Sequence, residues 1–485
     1  MKKTVALMVS ILFVLSLMLL SGCGSKGNKG TKTGDTTENS VVEEDYWNTL
    51  VTEYGGKYKD KDIKILTTRQ LNIPPTEMGS SAIEEAMFLR DAKLEEDFGF
   101  MPKYDIVGDY QLSEKIQLQI SVENNYDLII AVPSLSAPMI MNDCLMDLNE
   151  SNVDITNEWW NQSVNEATEF NGSVYMSMGP VSPYYYLNAQ IIFINKTIYG
   201  NYFPDSDIYD IVRNGDWTLD KMVEIATSIG ENGIIDNDSN WEYDENDTYG
   251  LTIEYPSAYS LTVSCGISLA TKTEEGYSID ITNSNASDVI EKLRSLFSNS
   301  ENMPASERFK TQTDSMPATV PMFAGSRSMM TSTGIGHYRD FKEMKEKYGV
   351  LPLPKYNKEQ TEYITAGHVW GSNGIAIPKN TSDAEMSGCF MEAAGYYGFN
   401  FLKPVVYDTV LKFKAFDSPD DIDMLDNYIY SNVHYDINLL YDIGGSRTLL
   451  QNIIVGKEVR GLQSAMTAIE ALIKSDLDKY NKIGQ

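Results

Sequence analysis

The stretch Tyr126-Asp127-Leu128-Ile129-Ile130-Ala131-Val132, closed by Pro133, does most to limit what this chain can fold into. An apolar run of that length without alternation reads as a strand covered on both faces, which is the environment of a parallel sheet flanked by helices. The residues before it fit. Asp62-Ile63-Lys64-Ile65-Leu66 alternates polar and apolar like a half-buried strand. From about Ser81, Ile83, Met87, Leu94 and Phe98 recur at helical spacing, and Gly99 stands where such a helix would stop. A second helical stretch, Leu112 to Val122, leads into the apolar run. Strand, helix and strand in this order begin an α/β lobe.

Further helices follow. Thr218 can cap a helix whose face is Leu219, Met222, Val223, Ala226 and Ile229, and Asp220 suits its positive end. Near the end, Leu462, Ala465, Met466, Ile469, Leu472, Ile473 and Leu477 make an apolar stripe. With 485 residues and no internal repeat, the chain has room for two or three lobes. The expected class is α/β, with helices covering sheets. A formal charge of −30 argues against nucleic acid and against a basic membrane-binding patch. Cys144, Cys265 and Cys389 are widely separated, which suggests buried side chains rather than a disulfide framework or zinc site. The 30 tyrosines need a structural explanation.

The N-terminus carries an address. Lys2 and Lys3 precede the apolar stretch Val5 to Leu20, which is shorter than the ~20 residues a spanning helix needs. Leu20-Ser21-Gly22-Cys23 then resembles a bacterial lipobox, so residues 1–22 are expected to be a lipoprotein signal peptide and Cys23 the lipidated residue. Two acyl chains hold a protein at a membrane stably, where one does so marginally. Gly24 to Ser40 lacks core-forming residues and reads as a flexible tether within a linking segment 23–45. The body should lie outside the cytoplasm.

Catalytic patterns are not evident: the sequence has no GxSxG elbow, Walker loop, HExxH or strand-linked GxGxxG. His337, His368 and His434 sit in unrelated contexts. Paired carboxylates for glycoside hydrolysis cannot be picked out among 69 acids. The acidic stretch from Asp236 to Asp247 places Asp236, Asp238, Asn240, Asp244 and Asp247 at calcium-loop positions, yet Trp241 stands where the sharp turn needs glycine. A solvated acidic loop is the simpler reading. No cofactor is expected.

The order of segments resembles the extracellular solute-binding proteins of family 1, the sugar-binding subunits of ATP-binding cassette importers. The pieces that carry the resemblance are the strand 126–130, Cys144-Leu145-Met146-Asp147-Leu148, Glu158-Trp159-Trp160, Asn171-Gly172-Ser173-Val174-Tyr175 and Phe193-Ile194-Asn195-Lys196. Asp216-Trp217-Thr218, Asp247-Thr248-Tyr249-Gly250-Leu251, the segment Tyr348 to Tyr356 and Gly374-Ile375-Ala376-Ile377-Pro378 continue it. The resemblance implies a two-lobed periplasmic-binding-protein-like fold with a hinge and an interlobe cleft. On that reading lobe 1 comprises 46–180 plus 362–405, and lobe 2 comprises 181–361 plus 406–485. Crossings are expected near Met178 to Tyr186 and Glu362 to Gly367, with a return around Pro404.

It further implies a carbohydrate ligand, oligosaccharide or sugar conjugate, delivered to a permease by a monomeric binding subunit rather than an enzyme. A surface glycosidase and a solute-binding fold used for sensing are the rival readings. Candidate ligand residues are Arg69 and Gln70 after the first strand and Ser134 and Ser136 after the apolar run, because loops at the carboxyl ends of parallel strands bind ligands in α/β folds. Tyr184 and Tyr185 follow a proline-rich crossing, and Trp370 is the preferred stacking residue. Tyr435 and Asp436 match a recurring Tyr-Asp of the family. Trp159, Trp160 and Trp217 are expected to be packing residues.

Overall fold

The computed structural model describes residues 38–484 apart from 80, 122–125, 241–243, 274–275, 280–283, 298–317 and 417; the signal segment, Cys23 and residues 24–37 of the tether lie outside the described residues. Residues 1–49 form a unit separate from 50–485. The described part of the first, 38–49, is helical and belongs to the helix Glu38–Tyr54. That helix takes in Glu38, Asn39 and Ser40, which by composition read as tether. The residues just beyond, with paired glutamates and the apolar Val41 and Val42, allow the helix to run back into it.

In chain order the strands are β1 (Lys61–Thr67), β2 (Phe100–Ile106), β3 (Leu128–Ala131), β4 (Gln190–Asn195), β5 (Ile234–Ile235), β6 (Thr248–Ile253) and β7 (Ala270–Thr273). Then come β8 (Gly276–Ile279), β9 (Ser328–Gly334), β10 (Tyr348–Leu351), β11 (Thr365–Ala366), β12 (Gly374–Ala376) and β13 (Val433–His434). The first lobe is built on a four-stranded sheet in the order β12–β3–β1–β2. Its β1 lies parallel to both neighbours, and β12, from far along the chain, closes the edge antiparallel to β3. Every residue of β3 is buried, which accounts for the unbroken apolar run. The edge side of the sheet is wetter, and β1 starts exposed before sinking into the core.

The helix Ala82–Phe98 covers this sheet. Ser81 accepts from the Glu84 amide while the Glu84 carboxylate takes the Ser81 N–H, a reciprocal cap that fixes where the helix starts. It stops at Gly99, whose φ of 87° and close approach to Lys59 leave no room for a side chain. The helix Ala384–Tyr397 also packs on this lobe, and its Glu392 is buried. That carboxylate accepts from Trp159 Nε1 at 3.1 Å, Trp160 Nε1 at 3.2 Å and the Asp154 amide at 2.6 Å. Both tryptophans are therefore core residues oriented by one acid.

The second lobe is built on a five-stranded sheet in the order β10–β4–β9–β6–β5. Its centre, β4, β6 and β9, is buried at every position. β6 and β9 run parallel, and the hydroxyls of Thr252 and Thr331 meet at 3.1 Å between them. Thr218 caps the helix Leu219–Ala226 through the Lys221 amide. Trp217 is fully buried and donates from Nε1 to the Pro352 carbonyl at 2.9 Å. The terminal helix Leu462–Tyr480 buries Leu462, Ala465, Met466, Ile473 and Tyr480. Leu472, read from the sequence as part of its apolar stripe, is 59 % exposed because the buried face is narrower than the stripe.

The chain passes from the first sheet to the second between Ser177, bridged to Ile375, and β4. It returns between β11 and β12, then leaves again through wide π-helical turns at Gly398–Leu402 and Pro404–Ala415. Cys144, Cys265 and Cys389 are buried and unpaired in disulfides. Among the described residues no helix is long and apolar enough to cross a membrane. Replacing Glu392 with alanine removes the acceptor of two buried indole N–H groups, of the Asp154 amide and of the Asn157 side-chain amide. Glu392→Ala should therefore lose about 3 kcal/mol in denaturant unfolding and shift tryptophan fluorescence. A loss within 0.5 kcal/mol would mean that the tryptophans hold themselves.

Candidate functional site

A cavity of about 380 Å³ opens where the two lobes meet. From the first lobe the helix Pro133–Met141 contributes Ser134, Ala137, Pro138 and Met141. From the second come Tyr441, Asp442, Arg447 and Thr448, with Asp476 and Tyr480 of the terminal helix. Trp370, on the return crossing, completes the lining, and 44 % of its surface is exposed.

Trp370 is presented by a turn that His368 organises. The His368 Nδ1 accepts from the Trp370 amide at 3.2 Å and the Gly371 amide at 2.9 Å, and its carbonyl accepts from Ser372. With Nδ1 occupied as an acceptor, the ring proton sits on Nε2 and is donated to Glu254 at 2.6 Å. Glu254 lies at the end of β6 and is buried. Burial alone would push its carboxyl up. The hydrogen bond from His368 Nε2 works against that, and the carboxyl is held below its ordinary value.

The second-lobe wall has its own internal wiring. Asp442 adopts a left-handed backbone, φ 54°, just before the positive-φ pair Gly444 and Gly445. Its carboxylate accepts from the Thr448 amide at 3.1 Å and the Thr448 hydroxyl at 2.5 Å, with Arg447 Nη2 at 3.5 Å. Arg447 also donates to the Leu439 carbonyl at 2.6 Å, and its buried Nε has no hydrogen-bond partner among the described residues. Asp476 accepts from the Gly444 amide at 3.0 Å. The cavity thus combines an exposed indole, tyrosine rings, two carboxylates with spare lone pairs and one buried cation. That set can cover the apolar face of a ring and take several hydroxyls.

Of the residues singled out in the sequence, the structure brings Ser134 and Trp370 together at this cavity. The others lie elsewhere. Arg69 is engaged by Asp109 through two bonds, 2.6 and 3.2 Å, and Gln70 is exposed on a short turn. Ser136, two residues beyond Ser134 and so on the opposite side of the same helix, is buried. Tyr184 and Tyr185 are half-buried in the turn Pro183–Tyr186, and the Tyr185 hydroxyl accepts from Asn161 at 3.4 Å. Tyr435 is buried against Gly367, with its hydroxyl bonded to Asn188 at 2.7 Å. Asp436 is also buried and caps the helix Ile437–Tyr441 through the Leu439 amide at 2.7 Å; burial raises its carboxyl.

Asp236, Asp238 and Asp247 do bring carboxylate oxygens within 4.8 Å of one another, whereas Asp244 is not in that group and the Asn240 side chain donates to Asp238 at 2.9 Å. Each of the three already accepts from backbone amides of its own loop, those of Ser239, Asn240, Asn237 and Asp244. Asp442, Arg447, Thr448 and Asp476 were missed. The one local signal is Asp442-Ile443-Gly444-Gly445-Ser446-Arg447, in which paired glycines set a charged turn between helices.

Glu254 is held below the ordinary carboxylate value of 4.5, so its stabilising contribution is complete above that pH and disappears as pH falls toward 2. Glu254→Gln should be less stable than the parent by about 2–3 kcal/mol at pH 7, with the gap closing between pH 4.5 and 2 in urea titrations. A gap independent of pH would refute the charged role of Glu254.

Three comparisons place this architecture. None of the curated proteins matches by sequence. Several solved structures share the fold. A substrate-binding protein from Listeria monocytogenes in complex with cycloalternan has 12% identity and a TM-score of 0.56, with 86% of this chain and 99% of that one covered. A glycerophosphocholine complex from Mycobacterium tuberculosis has 13% identity and a TM-score of 0.58, with 86% and 98% covered. The maltose/maltodextrin-binding domain of Bdellovibrio bacteriovorus bound to maltotriose has 12% identity and a TM-score of 0.53, with 86% and 100% covered. At those identities the likeness establishes the two-lobed fold. Residues 91–395 match the family model described as bacterial extracellular solute-binding protein, and the chain belongs to that family.

Proposed function

We propose that this chain is the lipid-anchored, substrate-binding subunit of an ATP-binding cassette importer, capturing a carbohydrate between its lobes and passing it to a membrane permease. The observation that carries the reading is the interlobe cavity with Trp370 exposed beside Asp442, Arg447 and Asp476. An indole left in water at a lobe junction costs apolar surface that a sugar face would cover. The comparisons add support: two of the structures above hold oligosaccharides. The two main sheets support the proposed lobes, 46–180 plus 362–405 and 181–361 plus 406–485, whereas β11, at 365–366, pairs with β13 of the second lobe. Cys23 is the proposed anchor, and the residues after it keep the binder concentrated near its permease.

Thermal-shift screening of the soluble body against a glycan panel, with product analysis of each hit, tests the reading. Stabilisation without turnover supports capture, and turnover would replace it with an enzyme. Trp370→Ala should weaken binding of the best glycan about 10- to 100-fold while moving the unliganded melting temperature by less than about 2 °C. A large drop in melting temperature with unchanged affinity would make Trp370 a packing residue. Cys23→Ser should leave affinity unchanged in vitro and release the protein from the membrane fraction; retention at the membrane would remove the anchor.

A further inference from the structure

Beside the ligand cavity, the two lobes are fastened by contacts that lie outside its lining. In the first lobe, Phe170 and Ser173 pair across a tight turn whose central residues, Asn171 and Gly172, have φ of 50° and 89°. The turn is anchored to its own lobe, because Asn149 donates to the Gly172 carbonyl at 2.9 Å and the Leu148 amide bonds Val174 at 2.7 Å. Its tip reaches the second lobe. The Asn171 side-chain amide donates to the Ile483 carbonyl at 2.6 Å and to that of Asn481 at 3.3 Å.

The second lobe answers with the β7–β8 hairpin. Tyr277 donates its hydroxyl to the carbonyls of Glu169 at 2.7 Å and Ala167 at 3.0 Å, and Lys272 pairs with Glu169 at 3.4 Å. Asn481 holds the hairpin in place through the Tyr277 amide at 2.8 Å. A smaller cavity of about 220 Å³ lies in the seam between these groups.

The seam and the ligand cavity share aromatic rings. Phe170 of the first lobe stacks on Tyr480 at 5.2 Å with 11° between planes, and on Tyr441 at 6.2 Å and 18°. Tyr441 and Tyr480 also line the larger cavity. A solute touching those two rings therefore rests on the surface that the first lobe must meet to close.

From this arrangement we propose that the turn Phe170–Ser173 is an interlobe latch: Asn171, Tyr277 and Asn481 are positioning residues that favour the closed state and thereby raise affinity without touching the ligand. Contacts made only when the lobes are shut shift the open–closed balance, and apparent affinity scales with the closed fraction. The bonds lost when Asn171 and Tyr277 are trimmed correspond to about a tenfold weaker Kd. The affinity consequence rests on the carbohydrate-capture reading; the closure consequence does not.

The test uses the soluble body carrying Asn171→Gly with Tyr277→Phe. Glycine keeps the left-handed backbone and phenylalanine keeps the ring, so the fold is preserved. Small-angle scattering without ligand should show a larger radius of gyration than the parent, with the melting temperature nearly unchanged. Identical scattering from the two proteins would overturn the latch. Calorimetry with maltotriose gives the second reading: about tenfold weaker binding supports the coupling, and equal affinity overturns it. If the parent binds neither maltotriose nor any other glycan, the capture reading falls and scattering alone decides the latch.

Discussion

Any chain that runs back and forth between two sheets must bury backbone amides and carbonyls at the junction, and these need partners there. At this junction both backbone and side-chain groups find them. The His368 amide bonds the Asn188 carbonyl at 2.5 Å, and the Asn188 side chain holds the Tyr435 hydroxyl at 2.7 Å. A few residues away, Asn72 donates to Thr67 and to Asn373 and accepts from Ser182, joining β1 to both crossings. Glu254 and His368 close the set from β6. Trp370 sits on this network, so the residue best placed to meet a ligand inherits its position from buried polar contacts. A site built on a buried, multiply bonded junction is held in register whatever the exposed side chain does.

The junction sits on one flank of the cavity and the Phe170–Ser173 seam on another. They differ physically. The junction is made of buried, multiply bonded groups through which the covalent chain passes. The seam is made of a turn tip, a hairpin and the residues after the terminal helix, with Lys272 and Glu169 each partly in water. Such contacts are weak enough to break, and a hinged binder needs that contrast.

Much of the first lobe was legible because its signals are local. The β3 run, the helix start near Ser81 and the Gly99 stop each involve residues within a few positions of one another, and the structure keeps all three. The Thr218 cap is local too. The cavity was legible only in part. Ser134 follows from strand order and Trp370 from its place at a crossing, but Asp442, Arg447 and Asp476 converge from separate helices, and nothing in their spacing announces it. Arg69 illustrates the opposite failure: its place after β1 is right for a ligand residue, yet Asp109, forty positions on, already engages its guanidinium. Leu472 lies on the same stripe as Ile473 but turns outward, because a periodic pattern gives the direction of a face and not its width.

The tyrosines show how composition can mislead about function. A chain with 30 of them suggests ring stacking on sugars. Many instead act as long clips, with an apolar ring in the core and a hydroxyl delivered to a distant acceptor. Tyr363 reaches the Val212 carbonyl at 3.0 Å, Tyr430 the Tyr186 carbonyl at 2.6 Å and Tyr209 the Asp421 carboxylate at 2.6 Å. Tyr277 does the same between lobes, and the Tyr435 hydroxyl accepts from the Asn188 side chain. Burial, with neighbouring carboxylates behind it, drives the Tyr209 hydroxyl far above its ordinary value, so it stays a donor at any pH the protein meets. A phenol suits this use because it buries a large area while its far end still closes a hydrogen bond. The aromatic residue with functional weight is then the one without such a bond to make across the core, the half-exposed indole of Trp370.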